Sequence, residues 1–90
     1  MVQYNDLMTA IIKKQITIIG SEKAVRYARR VPGVVVKDDG TVAPGASKAH
    51  LASLIQEYKK VAGEVAMFLI RQSVAPLLSQ SQLDLPAELK

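Results

Sequence analysis

The segment from Ser21 to Gly40 constrains the fold of this chain more than any other part of its sequence. It joins an arginine-rich stretch, a Pro-Gly pair, three consecutive valines and an Asp-Asp-Gly triplet. A Pro-Gly pair ends a helix, and a short β-branched run between turn residues is typical of a strand. The segment therefore predicts a short helix followed by a β-hairpin at about residues 34–43, with residues 37–40 in its turn.

Helical periodicity predicts three helices around this hairpin. Apolar residues recur three or four positions apart from Asp6 to Ile19, after Asn5, which suits an N-cap. The β-branched run at residues 15–19 leaves a strand there as the competing interpretation. The second helix is expected over Glu22–Arg30, and a long C-terminal helix over about residues 47–75. The predicted fold class is α+β and mainly helical, with two short helices, the β-hairpin and the long C-terminal helix.

Ninety residues predict one domain. We expect residues 1–79 to form a single compact unit and residues 80–90 to be a loose polar tail. The long helix would extend about 40 Å if straight, more than a globule of this size needs. Gly63, in its middle, predicts either close backbone packing or a bend. Pro76 is expected to kink the helix or to end it near Val74.

Composition excludes several classes of protein. The chain has no cysteine, which excludes disulfides and thiolate metal sites. Apolar residues make up 49% and charged residues 22% of the chain, as in folded proteins rather than disordered ones. No secretory signal is visible, and the longest apolar run, Val65–Ile70, is far shorter than the roughly 20 residues that span a bilayer. We therefore expect a soluble, cytoplasmic protein without a membrane partner.

No group of residues in the sequence points to catalysis. His50 is the only histidine and has no cysteine or second histidine near it, so a metal site is not expected. Asp38 and Asp39 lack the alternating oxygen ligands of a calcium loop. We predict a non-enzymatic protein with no cofactor. A small-ligand carrier would need a pocket between the long helix and the hairpin, and Gly63 would leave room for one.

Positive charge is concentrated at the start of the chain. Residues 1–30 carry six Lys or Arg residues against Asp6 and Glu22, a net charge of +4. Helical spacing places part of this charge on one face of the second helix, which would suit the phosphates of a nucleic acid or an acidic protein surface. A solvated face, partly neutralised by Glu22, is the alternative. The predicted anion-binding residues are Lys23, Arg26, Arg29 and Arg30.

The order of helix, helix, hairpin and long helix resembles the winged-helix family of DNA-binding domains over most of the chain. The resemblance lies in architecture alone and includes no specific motif. It implies that Glu22–Arg30 reads the DNA groove, that residues 34–43 form the wing, and that the long helix makes a dimer. The chain departs from the family because the helix expected before the first is missing. In addition, Arg26 replaces an apolar residue, and Asp38 and Asp39 would repel phosphates.

The long C-terminal helix gives the main functional prediction. Its apolar stripe is longer than the core that a domain of this size can offer, which favours self-association as a homodimer. The alternative is that the short helices and the hairpin cover the stripe completely. We therefore predict a small interaction or regulatory module, with nucleic-acid binding as the alternative function. The predicted interface residues are Leu51, Leu54, Ile55, Tyr58, Ala62, Val65, Phe68 and Leu69.

Overall fold

The computed structural model describes residues 2–79 and 83–89, which contain three α-helices and one short 3-10 helix. Helix α1 spans Tyr4–Ile19, α2 spans Ser21–Ala28, α3 spans Lys48–Leu78, and the 3-10 helix spans Ala87–Leu89. The mainly helical prediction is thus confirmed, and the chain is helical, not extended, at residues 15–19. Helix α1 begins one residue before Asn5, and its N-cap is Gln3, whose backbone N–H donates to the Asp6 carboxylate at 2.8 Å.

The predicted β-hairpin at residues 34–43 is wrong. This segment contains no strand, only a single antiparallel bridge between Val36 and Val42. The turn is present, because the Gly40 N–H donates to the Lys37 carbonyl at 2.9 Å. Gly40 has a φ of 92°, and a Cβ there would lie 2.9 Å from the side chain of Ile12. The residues therefore form a loop, and the described part of the chain is an all-helical fold.

Side chains from α1 and from Arg29, which directly follows α2, form hydrogen bonds with the backbone of the loop at residues 34–43. The Arg29 guanidinium donates twice to the Val36 carbonyl, at 2.9 and 3.1 Å. The Val42 N–H donates to Thr9 Oγ1 at 2.9 Å, and Asn5 Nδ2 donates to the Val42 carbonyl at 3.4 Å. Because buried backbone groups need partners, these bonds fix the loop to the helices instead of extending a sheet.

One aliphatic core joins α1, α2 and α3. Helix α1 contributes one fully buried face, and the start of α3 contributes another. Val31, Val36 and Val42 of the connecting segment cover one end of this core. The fully buried residues of α1 and of the first half of α3 are Leu7, Met8, Ile11, Ile12, Leu51, Leu54, Ile55 and Tyr58.

Helix α3 is broken at Gly63. The φ of 58° and ψ of −130° at this residue are not helical, whereas the chain on both sides is. A straight helix of 31 residues would be about 46 Å long, but the longest dimension of the molecule is 31 Å. The bend therefore brings residues 64–78 back to the core. The helix passes through Pro76 and ends at Leu78, beyond the predicted end at about residue 75.

Residues 83–89 lie against the helices. Tyr4 Oη donates to the Asp84 carbonyl at 2.7 Å, and Lys48 Nζ lies 2.8 Å from Asp84 Oδ2. Gln56 Nε2 donates to Glu88 Oε2 at 2.6 Å, and Leu89 is buried. The predicted loose tail covers residues 80–90, of which residues 80–82 and 90 lie outside the described residues.

Helix α3 is also the one described helix that is long and apolar enough to cross a membrane, by length and composition alone. The core helix of a soluble protein passes the same test when most of it is buried. Here only 22% of the apolar 18-residue window lies inside the molecule. Val65 and Phe68, in the second half of α3, are 64% and 65% exposed, so this part of the helix presents apolar side chains at the surface.

Candidate self-association surface

Two of the four predicted anion-binding residues are engaged within the molecule. The Arg29 guanidinium binds the Val36 carbonyl and also lies 2.8 Å from Asp38 Oδ1. The Arg30 guanidinium stacks on the Tyr27 ring, 4.8 Å from its centroid. These contacts give both arginines a role in holding the loop and the end of α2.

The other two predicted residues, Lys23 and Arg26, are exposed and form no ion pair among the described residues. Arg26 borders an open groove of about 480 Å³ between α2 and the loop. The groove places Glu22 and Asp38 beside Arg26 and Arg29, so its formal charges cancel. The lining of this groove therefore carries no net charge, and the loop beside it is not the predicted wing.

The structure divides the eight predicted interface residues into two groups, one in the first part of α3 and one around and after Gly63. Those up to Tyr58 belong to the core of the molecule, and each is no more than 1% exposed. Among them, Tyr58 donates its hydroxyl to the Ala24 carbonyl at 2.7 Å, and burial raises its pKa well above the usual value of 10.0. These core residues are Leu51, Leu54, Ile55 and Tyr58.

The other predicted residues surround the break or follow it, and they lie at the surface. Val65 is 64% exposed and Phe68 is 65% exposed. Ala62 is also exposed, and Leu69 is partly so. Val61, which was not among the predicted interface residues, is 44% exposed and lies two residues before the break. We call Val61, Val65 and Phe68, with Ala62 and Leu69 beside them, the outer stripe.

Residues 64–78 therefore form a helix with two apolar faces. The inner face carries Ala66, Met67, Ile70 and Val74, each at most 3% exposed, at the spacing of a core-facing helix. Val65 and Phe68 of the outer stripe lie on the opposite side of this helix. A soluble helix usually has a polar face toward water, and one that is apolar all round is usually buried on all sides. The second half of α3 is buried only on its inner face.

Charged residues border the outer stripe. Glu64 and Arg71 are both exposed and lie seven residues apart, so helical spacing places them on the same flank of the stripe. Glu64 makes no ion pair among the described residues, and Arg71 donates a long 3.4 Å hydrogen bond from Nε to the Glu88 carbonyl. The flank thus carries one negative and one positive group with little internal compensation.

Sequence periodicity could not separate the two groups of interface residues. A continuous stripe over residues 51–69 has one spacing throughout, whereas the break at Gly63 rotates its second half relative to the core. Gly63 is the feature of the sequence that could have predicted which of these residues are buried and which are exposed, because a glycine in the middle of a long helix indicates a possible bend. In the described part of the chain, no group of three or more His, Asp and Glu side chains is arranged to hold a metal ion.

Comparison of the chain with protein-family models, with curated proteins and with solved structures found no match.

Proposed function

We propose that this chain is a small, non-enzymatic interaction module that self-associates through the outer stripe of α3. The observation that carries the proposal is the exposure of Val65 and Phe68, at 64% and 65%, on a helix whose opposite face is buried. Burying an apolar side chain of this size is favourable by about 1.5–3 kcal/mol. Two such residues one turn apart provide the centre of an interface.

The charges beside the stripe favour a second copy of the chain as the partner. In a two-fold symmetric pair whose axis is perpendicular to this helix, the same helix of each copy packs antiparallel. If the axis passes close to Phe68, the two Phe68 rings meet and Glu64 of each copy faces Arg71 of the other. In this arrangement each Glu64 carboxylate pairs with an Arg71 guanidinium, and the apolar residues of the outer stripe are buried. The surface is thus complementary to itself.

The nucleic-acid alternative receives less support from the geometry. Arg29 and Arg30 are engaged within the molecule, and carboxylates from Glu22 and Asp38 lie among the cations. The loop at residues 34–43 does not provide the hairpin that a winged helix needs. Lys23 and Arg26 are the two predicted cations that make no ion pair or ring contact among the described residues, and a surface of that size is common on proteins without an acidic partner.

Sedimentation velocity over a wide concentration range tests the proposal. We expect the sedimentation coefficient of the wild-type protein to rise with concentration, and Phe68→Ser to raise the dimer dissociation constant at least tenfold. That factor corresponds to about 1.4 kcal/mol. Val35→Ser is the matched control, because Val35 is also 65% exposed but lies on the loop after α2. It should leave the dissociation constant unchanged.

A charge-exchange pair tests the antiparallel arrangement separately. Glu64→Lys alone places like charges together and should weaken the dimer, and Arg71→Glu alone should do the same. The double variant restores opposite charges, so it should recover most of the lost affinity. A protein that stays monomeric up to millimolar concentration would contradict the proposal, as would equal weakening by Val35→Ser and Phe68→Ser.

A further inference from the structure

A single residue connects the second half of α3 to the rest of the molecule. Residues 48–62 and 64–78 are helical, and Gly63 alone departs from helical geometry. Residues 83–89 follow this second half in the chain. Everything after Gly63 therefore depends on the φ and ψ angles of one glycine for its position relative to α1, α2 and the first half of α3.

Packing around Gly63 does not hold it in this conformation. No heavy atom lies within 4 Å of the position that a Cβ would occupy, so the site is open. A φ of 58° with a ψ of −130° is a conformation that glycine adopts and other residues avoid. Helical φ and ψ angles at this one residue would turn α3 into a continuous helix. They would also restore the i to i−4 hydrogen bonds that the break interrupts.

Among the described residues, side chains from both parts of the segment after the break contact the part of the molecule before it. Ala66, Met67, Ile70 and Val74 enter the core. Asp84 binds Tyr4 and Lys48, and Glu88 binds Gln56. A second copy of the chain offers an identical core and the same polar partners, so the segment can make every one of these contacts with it instead.

We propose that two copies of this chain exchange residues 64–89 by straightening α3 at Gly63, which gives a domain-swapped dimer. The inference rests on the proposed self-association, since the outer stripe brings two copies together at the break. A straight α3 of about 46 Å carries the segment beyond its own molecule, whose longest dimension is 31 Å. Such exchange takes place about a short hinge, and here the hinge is the single residue Gly63.

The residues beside the break fit the crossing of two straightened helices. Val61 and Val65 are exposed on either side of Gly63. Ala62 is small and exposed as well, so two helix backbones can approach closely at this point. Exchange requires the inner face of the segment to leave its own core, so it should occur during folding at high protein concentration and be slow in the folded protein.

The ion pair between Lys48 and Asp84 shows whether residues 64–89 pack on their own chain or on the other one, because Lys48 precedes the break and Asp84 follows it. Its atoms lie 2.8 Å apart, so a carbodiimide can couple them directly into an amide. We would refold a mixture of ¹⁵N-labelled and unlabelled full-length chains at high concentration, isolate the dimer and couple it. Exchange predicts a dimer that survives denaturation and a peptide cross-linked from Lys48 to Asp84 with one heavy and one light partner.

Two glycine variants provide the second measurement. Gly63→Ala removes the preference for the bent conformation and should lower the dimer dissociation constant about tenfold or more. Gly45→Ala is the matched control, because Gly45 also has a positive φ, of 107°, and open space around its Cβ position, but lies in the loop before α3. It should cause a similar loss of monomer stability without favouring the dimer.

The possible outcomes separate this inference from the proposed function. A dimer whose Lys48–Asp84 cross-link stays within single chains overturns the exchange and keeps self-association through the outer stripe. A wild-type protein and a Gly63→Ala variant that both remain monomeric overturn the two proposals together. Binding of residues 64–78 to vesicles of neutral phospholipid, with no dimer formed, would assign the apolar segment to a lipid surface and overturn the exchange as well.

Discussion

At the scale of single residues, Tyr58 is the side chain that joins α3 to α2. Its ring is 1% exposed, and its hydroxyl donates to the Ala24 carbonyl at 2.7 Å. The sequence analysis placed Tyr58 on an oligomer interface because it follows the apolar spacing of α3. Spacing shows that a residue belongs to an apolar stripe, but whether that stripe meets the same chain or another depends on the path of the backbone at Gly63.

Loss of this hydroxyl should destabilise the fold measurably. We expect Tyr58→Phe to lower the free energy of unfolding by about 1–2 kcal/mol, because the buried hydrogen bond is lost while the ring is kept. Chemical denaturation at neutral pH measures this difference. Tyr27→Phe is the control, since Tyr27 is only partly buried and its hydroxyl makes no hydrogen bond recorded among the described residues.

The pH dependence gives this prediction a second readout. Burial raises the pKa of Tyr58 in the folded state above the unfolded value of 10.0, so the unfolded chain releases this proton first. The contribution to stability is therefore complete below about pH 10 and declines as the pH rises further, by up to about 1.4 kcal/mol per unit. Tyr58→Phe should flatten the decline, and an unchanged slope would contradict the assignment.

At the scale of elements, the loop at residues 34–43 shows where sequence reasoning reached its limit. The three valines and the turn at residues 37–40 are real features, and the turn forms as expected. The decisive partners are Asn5 and Thr9, which lie on α1 far from the valines in sequence, and Arg29 at the end of α2. Local propensity cannot reveal such partners, whereas the helices were predictable because their hydrogen bonds and apolar spacing are local.

Substitution of Thr9 tests whether side-chain hydrogen bonds from α1 hold the loop at residues 34–43. Its Oγ1 accepts a hydrogen bond from the Val42 N–H at 2.9 Å, and Val42 is 1% exposed. Thr9→Val keeps the shape of the side chain but leaves that buried N–H unpaired, so it should cost about 1–3 kcal/mol of unfolding free energy. Denaturant titration and amide exchange at Val42 measure the loss.

Thr17→Val is the matched control on the same helix. Within the described residues, Thr17 Oγ1 donates one hydrogen bond, to the Lys14 carbonyl at 2.6 Å, in the last turns of α1. Its replacement should change stability by less than about 0.5 kcal/mol. Equal effects of the two substitutions would show that Thr9 contributes helix propensity alone and that the loop is held by other contacts.

At the scale of the whole molecule, hydrogen bonds between residues far apart in sequence hold the C-terminal segment against the helices. Lys48 and Gln56 bind residues more than thirty positions later, and Tyr4 binds Asp84 across nearly the full chain. The sequence analysis noted the polarity of residues 80–90 and predicted a loose tail. The tail also contains leucines, and whether they reach the core depends on how the second half of α3 folds back. The bend at Gly63 therefore determines both the position of the tail and the exposure of the outer stripe.

Apolar contact rather than charge should dominate the attachment of this tail. Leu89 is 8% exposed, whereas the Lys48 and Asp84 side chains are 44% and 68% exposed. Truncation of a buried leucine costs about 2 kcal/mol or more, and an exposed ion pair contributes less than about 1 kcal/mol. Leu89→Ala should therefore destabilise the protein clearly more than Asp84→Asn in parallel urea denaturations. If Asp84→Asn has the larger effect, the polar contacts hold the tail and Leu89 is not part of the core in solution.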